Sequence, residues 1–324
     1  MNIQIKPLEM KHLDIAVQLA VHNYFLERTK NNALSEKVNE SYFSNSIKDL
    51  ISCGIGNIAL ENDEVVGFLA FNAQLGSDYS ESPLYGYGIK HTKRSEVISK
   101  LLKNTLSILC ENNYQYFNIS VYAHDREVLW TYIMSAFTMG VTDVVRDTNT
   151  SVNAKAVNFI FKELNKVELI KHYRFDVIEI YRNLINHLRA SPIFYPCNEF
   201  MPIEDRSDDF LSDNIRVFAV LDGDKLVGMV CAEPPDKNFT VEDLQAVNMT
   251  DLFVIPDYRR HGIAAALLEF ANNELRKSDT ERIFVTHGTV NPTARGFWGS
   301  YFTNYSYTLS RQINHNMLGK IDLI

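Results

Sequence analysis

The sequence predicts an α+β protein (α/β mixed) built from two copies of one unit, and three observations support this. The chain has 324 residues, 46% hydrophobic and 22% charged, which is ordinary globular composition and enough length for two domains. Segments with the period of a strand alternate with segments with the period of a helix in both halves. Tight polar turns, Asn62-Asp63 and Gly223-Asp224, stand at matching places in the two halves.

The first half predicts the order β-α-α-β-β-(β)-α-β-α. Apolar residues recur at helical spacing from Ile15 to Tyr24 and from Val97 to Leu109. β-rich runs on either side of Asn62-Asp63 predict a hairpin. The predicted strands are 3–5, 57–60, 65–71 and 117–122, and the predicted helices are 15–24, 38–51, 96–109 and 125–137.

The second half repeats this order, which favours duplication of one unit. The predicted strands are 159–161, 216–221, 226–231, 248–254 and 283–289, and the predicted helices are 173–188, 262–276 and 291–300. The polar stretch Arg146–Lys155 is typical of a linker. We therefore expect domains at 1–150 and 151–324.

Composition excludes several classes of function. The 32 Lys and Arg against 40 Asp and Glu give a net charge of −8, which disfavours a nucleic-acid partner. No apolar stretch approaches the roughly 18 residues of a membrane span, and the N-terminus lacks a leader pattern. The four cysteines form no C-x-x-C pair, which favours buried thiols in a reducing compartment. We expect a cytoplasmic protein that uses no metal.

The most informative segment is a basic turn between a strand that stops at Pro256 and a helix that starts near Gly262. The first turn of a helix leaves backbone N–H groups unpaired and carries the positive end of the helix dipole, so it binds phosphate well. Arg259, Arg260 and His261 add charge, and Gly262 lacks bulk where a ligand must approach the backbone. A solvated basic turn is the alternative interpretation.

The spacing Arg259-x-x-Gly262-x-Ala264, after Leu252-Phe-Val254, resembles the acyl-CoA motif R/Q-x-x-G-x-G/A of the GNAT N-acetyltransferase superfamily. Asn291-Pro-Thr-Ala-Arg-Gly-Phe297-Trp298 resembles the later N-x-x-A-x-x-F-Y motif of that superfamily. Asn291 is also a good helix N-cap before a proline, on physical grounds alone. The motifs cover about 210–310, whereas the first half matches only by element order.

The resemblance implies tandem GNAT-like domains, each with a mixed, mostly antiparallel sheet flanked by helices. No R-x-x-G-x-G/A turn precedes the helix near Glu96, so 1–150 is predicted to be a degenerate copy and 151–324 the copy that binds acetyl-CoA. In this family the valine N–H faces the thioester oxygen, a role that falls here to Val254. The predicted cofactor contacts are Leu252, Phe253, Val254, Arg259, Arg260, His261, Gly262, Ile263, Ala264, Asn291 and Phe297.

Two positions depart from the family pattern for proton transfer. Asn248 stands where many relatives have a glutamate base, and Trp298 stands where the usual acid is a tyrosine. Tyr301, on the same helix face as Trp298, is a substitute acid, although a core tyrosine is the alternative. His287 is a candidate base because its ordinary pKa is near ~6.5, and a structural histidine is the alternative. Glu242, Asp243 or a water chain could also take the proton.

These features predict an N-acetyltransferase that moves an acetyl group from acetyl-CoA to a primary amine by direct attack in a ternary complex. The amine could belong to a small molecule or a peptide, and the protein could be a monomer or a homodimer. Residues 194–200 could line the acceptor pocket, and the acidic run 204–209 could attract a cation. The alternative, motivated by Asn248 and Trp298, is a non-catalytic acyl-CoA sensor or scaffold. A longer acyl donor also stays open.

Overall fold

The computed structural model describes residues 3–73, 76–90, 92–192, 212, 214–235 and 243–314, and the chain divides into two compact units. Unit 1 is drawn from Met1–Asp143 and Asn304–Ile324, and unit 2 from Val144–Phe239 and Asp243–Thr303. The last described strand of the chain therefore belongs to unit 1. The boundary predicted near residue 150 differs from this division, and the assignment of 1–150 and 151–324 as duplicated domains stays a prediction.

Unit 1 is an α+β assembly whose sheet has the order β1-β2-β3-β4-β6-β13, with β5 paired to β3. Pairs are antiparallel except β4 with β6, which are parallel. The strands are β1 (Ile3–Pro7), β2 (Ile55–Glu61), β3 (Glu64–Ala73), β4 (Tyr79–Ser82), β5 (Tyr87–Ile89), β6 (Tyr116–Tyr122) and β13 (Thr303–Gln312). The helices are α1 (Leu13–Arg28), α2 (Glu40–Cys53), α3 (Arg94–Glu111) and α4 (Arg126–Met134). Strand β7 (Thr138–Asp147) carries the chain from unit 1 into unit 2.

Unit 2 has the same kind of sheet, in the order β12-β11-β10-β9-β8, with a parallel pair between β11 and β12. The other pairs are antiparallel. The strands are β8 (Ile160–Leu164), β9 (Arg216–Asp222), β10 (Lys225–Glu233), β11 (Ala246–Val254) and β12 (Arg282–Gly288). The helices are α5 (Arg174–Ala190), α6 (Ile263–Lys277) and α7 (Pro292–Tyr301).

The sheet of unit 2 is buried on both faces, because neighbouring residues of one strand enter different cores. Val217 packs in a core with Val177 and Ile180 of α5, whereas Phe218 packs in a core with Leu267 of α6 and Trp298 of α7. We call these the α5 face and the α6 face. This alternation tells which way each side chain of β10 and β11 points.

Most predicted elements are confirmed within a few residues. Asn62 and Asp63 have φ of 53° and 65°, as a two-residue type I′ hairpin requires, and Gly223 has φ of 59°. Among the described residues, three strands were missed: β7, β13 and one of the pair β4 and β5, since a single strand was predicted between the hairpin and the helix 96–109. Strand β7 (138–147) follows the predicted helix 125–137 and overlaps the predicted linker only at Arg146 and Asp147, while the helix itself already ends at Met134. Strand β13 was overlooked because only Tyr305, Ser306 and Leu309 of its ten residues are buried.

The cysteine prediction holds in part. Cys53, Cys110 and Cys231 form no disulfide; Cys110 and Cys231 are buried, whereas Cys53 is exposed. The reason is that Cys53 ends α2 outside the buried stripe of Phe43, Ile47 and Leu50.

Candidate functional site

Two parallel strands of unit 2 separate partway along their length. β11 and β12 pair only over Ala246–Asn248 and Arg282–Phe284, and both strands continue beyond that point without pairing to each other. Opposite β10, β11 carries a bulge in which Asp251 and Leu252 face the single residue Val230, and Asp251 has φ of 54°. A bulge bends its strand, which explains why β11 leaves its neighbour. We call the gap beyond Asn248 the strand opening.

Val254 directs its backbone into the strand opening. The N–H of Ile255 donates to the carbonyl of Val227 at 3.0 Å, so Ile255 uses the β10 edge. Successive residues of a strand present their polar groups to opposite edges, and Val254 therefore turns its N–H and C=O away from β10. Its carbonyl accepts a hydrogen bond from Nε of Arg259 at 2.8 Å. The N–H has no acceptor among the residues that the structure describes.

The basic turn after β11 ends at the start of α6. Gly262 is the N-cap, with φ of 81°, and no side chain caps the helix. The N–H of Ala266 donates to the carbonyl of Gly262 at 3.1 Å, and in the described part of the chain the N–H groups of residues 262–264 have no partner. His261 and Gly262 are exposed. The turn therefore presents unpaired backbone N–H groups, and the positive end of the dipole of a four-turn helix, to solvent.

Arg259 lies inside the turn. Its guanidinium carbon sits 4.7 Å from the ring centroid of Phe253, and its Nε is bonded to the Val254 carbonyl. Burial lowers the pKa of this guanidinium. These two contacts of Arg259 hold the turn against β11. Arg260, in contrast, is exposed and has a left-handed φ of 66°. A direct contact of Arg259 with phosphate stays a prediction.

Asn291 caps α7 as predicted. Its Oδ1 accepts from the N–H groups of Thr293 at 3.1 Å and Ala294 at 3.3 Å, and Pro292 occupies the first helical position. Further along the helix, Phe297 packs against Trp298 and Tyr301 with ring centroids 5.0 and 5.2 Å apart. Trp298 is buried and packs on Phe302.

The candidate acids and bases lie in different surroundings. His287 is buried, with Nδ1 3.2 Å from the carbonyl of Gly288, and burial lowers the pKa of its imidazole. By alternation it shares the α6 face with Val285. Tyr301 is partly buried beside Phe297. Asp243 is buried in a bidentate ion pair with Arg282 and is thus a structural residue.

Glu242, residues 194–200 and residues 204–209 lie outside the described residues.

Sequence reasoning missed a carboxylate beside Asn248. Glu233, the last residue of β10, lies directly opposite Asn248, and Nδ2 of Asn248 donates to its Oε1 at 3.1 Å. The predicted hairpin joins β9 to β10, so it gave no indication that β10 also lies beside β11. Only the register across the bulge brings this particular pair together.

Unit 1 contains a comparable strand separation that is filled by a side chain. Among the described residues, β4 pairs in parallel with β6, whereas β5 pairs with β3 and not with β6. At the start of α3 the guanidinium of Arg94 donates to both oxygens of Asp125, to the carbonyl of Ile89 and to Oδ1 of Asn23. Asp125 is 1% exposed in its side chain and Arg94 16%, so this ion pair is buried.

The comparisons with known proteins agree with this architecture. Residues 182–302 match the acetyltransferase (GNAT) family. A GCN5-related N-acetyltransferase from Sphaerobacter thermophilus superposes with a TM-score of 0.57 at 9% identity, over 96% of this chain and 95% of that one. A GCN5-related glucosamine N-acetyltransferase region of a fungal multi-domain GH3 β-N-acetylglucosaminidase gives 0.52 at 10% identity, over 95% of this chain and 38% of that one. A tandem GNAT protein from the clavulanic acid biosynthesis pathway gives 0.48 at 11% identity, over 96% and 98% of the two chains.

No curated protein matches the chain in sequence. The match to the acetyltransferase (GNAT) family over residues 182–302 nevertheless agrees with the resemblance seen in the sequence. Its fold along nearly the whole length is that of a GCN5-related N-acetyltransferase.

Two features of the described residues concern membranes and metals. None of the helices there combines the length and the apolar character that crossing a bilayer requires. The same residues contain no group of three or more His, Cys, Asp or Glu side chains that could hold a metal ion.

Proposed function

We propose that unit 2 binds acetyl-CoA and transfers its acetyl group to a primary amine of a small molecule or peptide by direct attack in a ternary complex. The observation that carries the proposal is the exposed turn 260–262, which leads into the unpaired amides of 262–264 at the start of α6. A diphosphate supplies the acceptors that these amides lack, and its charge complements the helix dipole. The bound thioester supplies the activated acetyl group.

The turn fits a phosphate ligand sterically as well. A Cβ built on Gly262 would meet only Cγ1 of Val157, at 3.7 Å, so the space in front of its backbone is open. Ile263 is buried in the core and fixes the helix start, whereas Ala264 is partly exposed. Arg260 and His261 stand beside this space as exposed side chains. We therefore assign the phosphate contacts to the amides of 262–264, aided by Arg260 and His261.

Val254 is assigned to the reacting end of the ligand. Its N–H points into the strand opening, where it can donate to the carbonyl oxygen of a thioester laid along β11. Such a donor stabilises negative charge on that oxygen as the amine attacks. Leu252 and Phe253 would contact the arm of the same ligand, and Asn291 and Phe297 would contact it from α7.

The proposal is tested by two measurements on the full-length protein. Calorimetric titration with CoA should give saturable binding, and incubation with acetyl-CoA and a panel of primary amines should release free thiol. Failure to bind CoA would refute the assignment of the turn. Binding without thiol release from any amine favours the alternative function, a non-catalytic acyl-CoA sensor, for which Asn248 and the buried Trp298 are the motivating observations.

A further inference from the structure

Unit 1 contains a large pocket that acetyl transfer by unit 2 does not use. It has a volume of about 1050 Å³, near the upper end of the range for small-molecule sites. It lies between the end of α1, the end of β6, helix α4 and the start of β13, and all of the described residues that line it belong to unit 1. We propose that this pocket binds a small zwitterion of the amino-acid type with an apolar side chain. We call it the unit 1 pocket.

A buried carboxylate–imidazole pair forms one wall of the unit 1 pocket. Oε2 of Glu27 accepts hydrogen bonds from the backbone N–H and from Nδ1 of His124, both at 2.8 Å. The side chain of Glu27 is 2% exposed and that of His124 12%, and the imidazole stacks on Tyr122. Because an ionised carboxylate only accepts, Nδ1 carries the hydrogen and the neutral ring keeps a lone pair on Nε2. Nε2 is buried and has no partner among the described residues, so the wall holds a fixed acceptor that lacks a donor.

Charged side chains of both signs lie beside this pair. Lys30 follows Glu27 by three residues, just beyond α1, while Arg126 and Glu127 follow His124 at the start of α4. All three of these charged residues are exposed, and none forms an ion pair in the described part of the chain. Two cations suit the carboxylate of a ligand, whereas Glu127 and Nε2 of His124 suit an ammonium group. The unit 1 pocket thus offers partners for both ends of a zwitterion.

The rest of the lining is largely apolar or aromatic. Leu129, Trp130 and Ile133 line the pocket from α4, and Trp130 is 63% exposed. An indole so exposed leaves apolar surface in contact with water, and the apolar side chain of a ligand would cover it favourably. On β13, the hydroxyl of Tyr307 accepts a hydrogen bond from Nδ2 of Asn304 at 2.8 Å, which restricts the phenol ring. An amino acid with an aromatic side chain combines this apolar surface with the two charges.

The ion pair that closes the strand separation of unit 1 also supports this pocket. Asp125 stands between His124 and Arg126 in the chain, and the guanidinium of Arg94 donates to both of its carboxylate oxygens. This buried pair fixes the turn from β6 to α4, and so it fixes the two pocket residues on either side of Asp125. Because Arg94 fills the place that a phosphate arm would need, a ligand of the unit 1 pocket meets no acetyl donor. The pocket is therefore a binding site and not a second active site.

The test compares three ligands that differ by one charged group, by calorimetry and tryptophan fluorescence on the full-length protein. Phenylalanine has both charges, phenethylamine lacks the carboxylate, and 3-phenylpropionate lacks the ammonium group. Phenylalanine should bind at least about tenfold more tightly than either, because losing one charge-assisted hydrogen bond costs that factor or more. The chain has two tryptophans, and Trp298 is buried, so a shift of emission to shorter wavelength reports that the exposed Trp130 is covered. A dipeptide that begins with phenylalanine tests whether a short peptide binds more tightly than the free amino acid.

Variants assign each charge of the ligand to its partner. His124→Asn keeps an N–H donor for the Glu27 carboxylate but removes Nε2, so it should remove most of the preference for phenylalanine over 3-phenylpropionate. Lys30→Gln/Arg126→Gln should remove most of the preference for phenylalanine over phenethylamine. Lys103→Gln, which removes an exposed cation of α3 outside the pocket, is the matched control and should change neither preference.

Each outcome decides the question. Equal dissociation constants for the three ligands, no binding by any of them, or binding that leaves the tryptophan emission unchanged would overturn the proposal. So would a preference that survives both pocket variants. Should a variant fail to fold, the comparison of ligands in the wild-type protein still decides. None of these results depends on acetyl transfer, so the proposal stands or falls separately from the proposed function.

Discussion

Gly262 offers the sharpest test of the phosphate site, because one pair of substitutions separates charge from backbone effects. Gly262→Asp and Gly262→Asn introduce side chains of nearly equal size at the N-cap of α6. Asn and Asp tolerate the left-handed region better than other side chains, which lose roughly 1–2 kcal/mol there. The nearest atom to a built Cβ is 3.7 Å away, so we expect both variants to fold with nearly equal stability.

The two variants should differ strongly in CoA affinity. An aspartate carboxylate about 4 Å from one phosphate charge costs about 4 kcal/mol at an effective dielectric constant of about 20. That energy corresponds to roughly 10³-fold in dissociation constant. The asparagine amide competes for the same backbone N–H groups but carries no charge, so we expect about a tenfold loss.

Titration calorimetry with CoA at two salt concentrations measures this difference, with urea unfolding as the control for stability. The difference in CoA dissociation constant between Gly262→Asp and Gly262→Asn should become smaller at high salt, because exposed charges are screened. Equal dissociation constants for the two variants, or wild-type affinity in Gly262→Asp, would refute the placement of the phosphates at α6.

Three further predictions follow from the described contacts. Arg94→Met should lower the free energy of unfolding by about 3–5 kcal/mol, because it leaves the buried Asp125 carboxylate without its charged partner. The double variant Arg94→Met/Asp125→Asn removes that charge and should recover part of the loss, as measured by urea titration. Asn291→Ala should cost about 1 kcal/mol of stability through the lost N-cap, whereas Asn291→Asp should cost less, as measured by thermal unfolding. Burial holds the pKa of His287 below its unfolded value of 6.5, so the unfolded state binds more protons and stability should fall as pH drops below about 6.5. His287→Gln should flatten that part of the stability profile in urea titrations at stepped pH, and an unchanged slope would contradict the burial argument.

The sequence predicted the elements of unit 2 well because local signals coincide there. Pro256 stops a strand, Gly262 starts a helix and Asn291-Pro292 starts another, and each rests on backbone chemistry within a few residues. Helix α6 also has a clear apolar stripe, with Ile263 and Leu267 both buried in the core.

What the sequence could not predict depends on contacts between distant segments. The bulge at Asp251 shifts the register, and so decides that Asn248 faces Glu233. Strand β13 follows α7 in the chain yet pairs with β6, and no local pattern indicates so distant a partner. Arg259 is predicted as a phosphate contact from its charge and spacing, but the ring of Phe253 and the carbonyl of Val254 occupy much of its guanidinium.

The contrast between the units shows how a single side chain can decide whether a strand opening is available to a ligand. In unit 2 the helix after the opening begins at a glycine with unpaired amides, and the nearby Arg259 is held against β11. In unit 1 the helix after the strand separation begins at Arg94, whose side chain occupies the position of the open turn. Its guanidinium donates hydrogen bonds to the buried Asp125 carboxylate, to the carbonyl of Ile89 and to the amide oxygen of Asn23. A phosphate arm could enter there only by breaking a buried ion pair, at a cost comparable to that of removing one partner. The prediction that the N-terminal copy does not hold a pyrophosphate thus gains a physical reason beyond its missing motif.

Arg94→Met, where it folds, should open space in unit 1 without creating a second CoA site, because the glycine turn is still absent. Calorimetry showing two CoA sites per chain would contradict this.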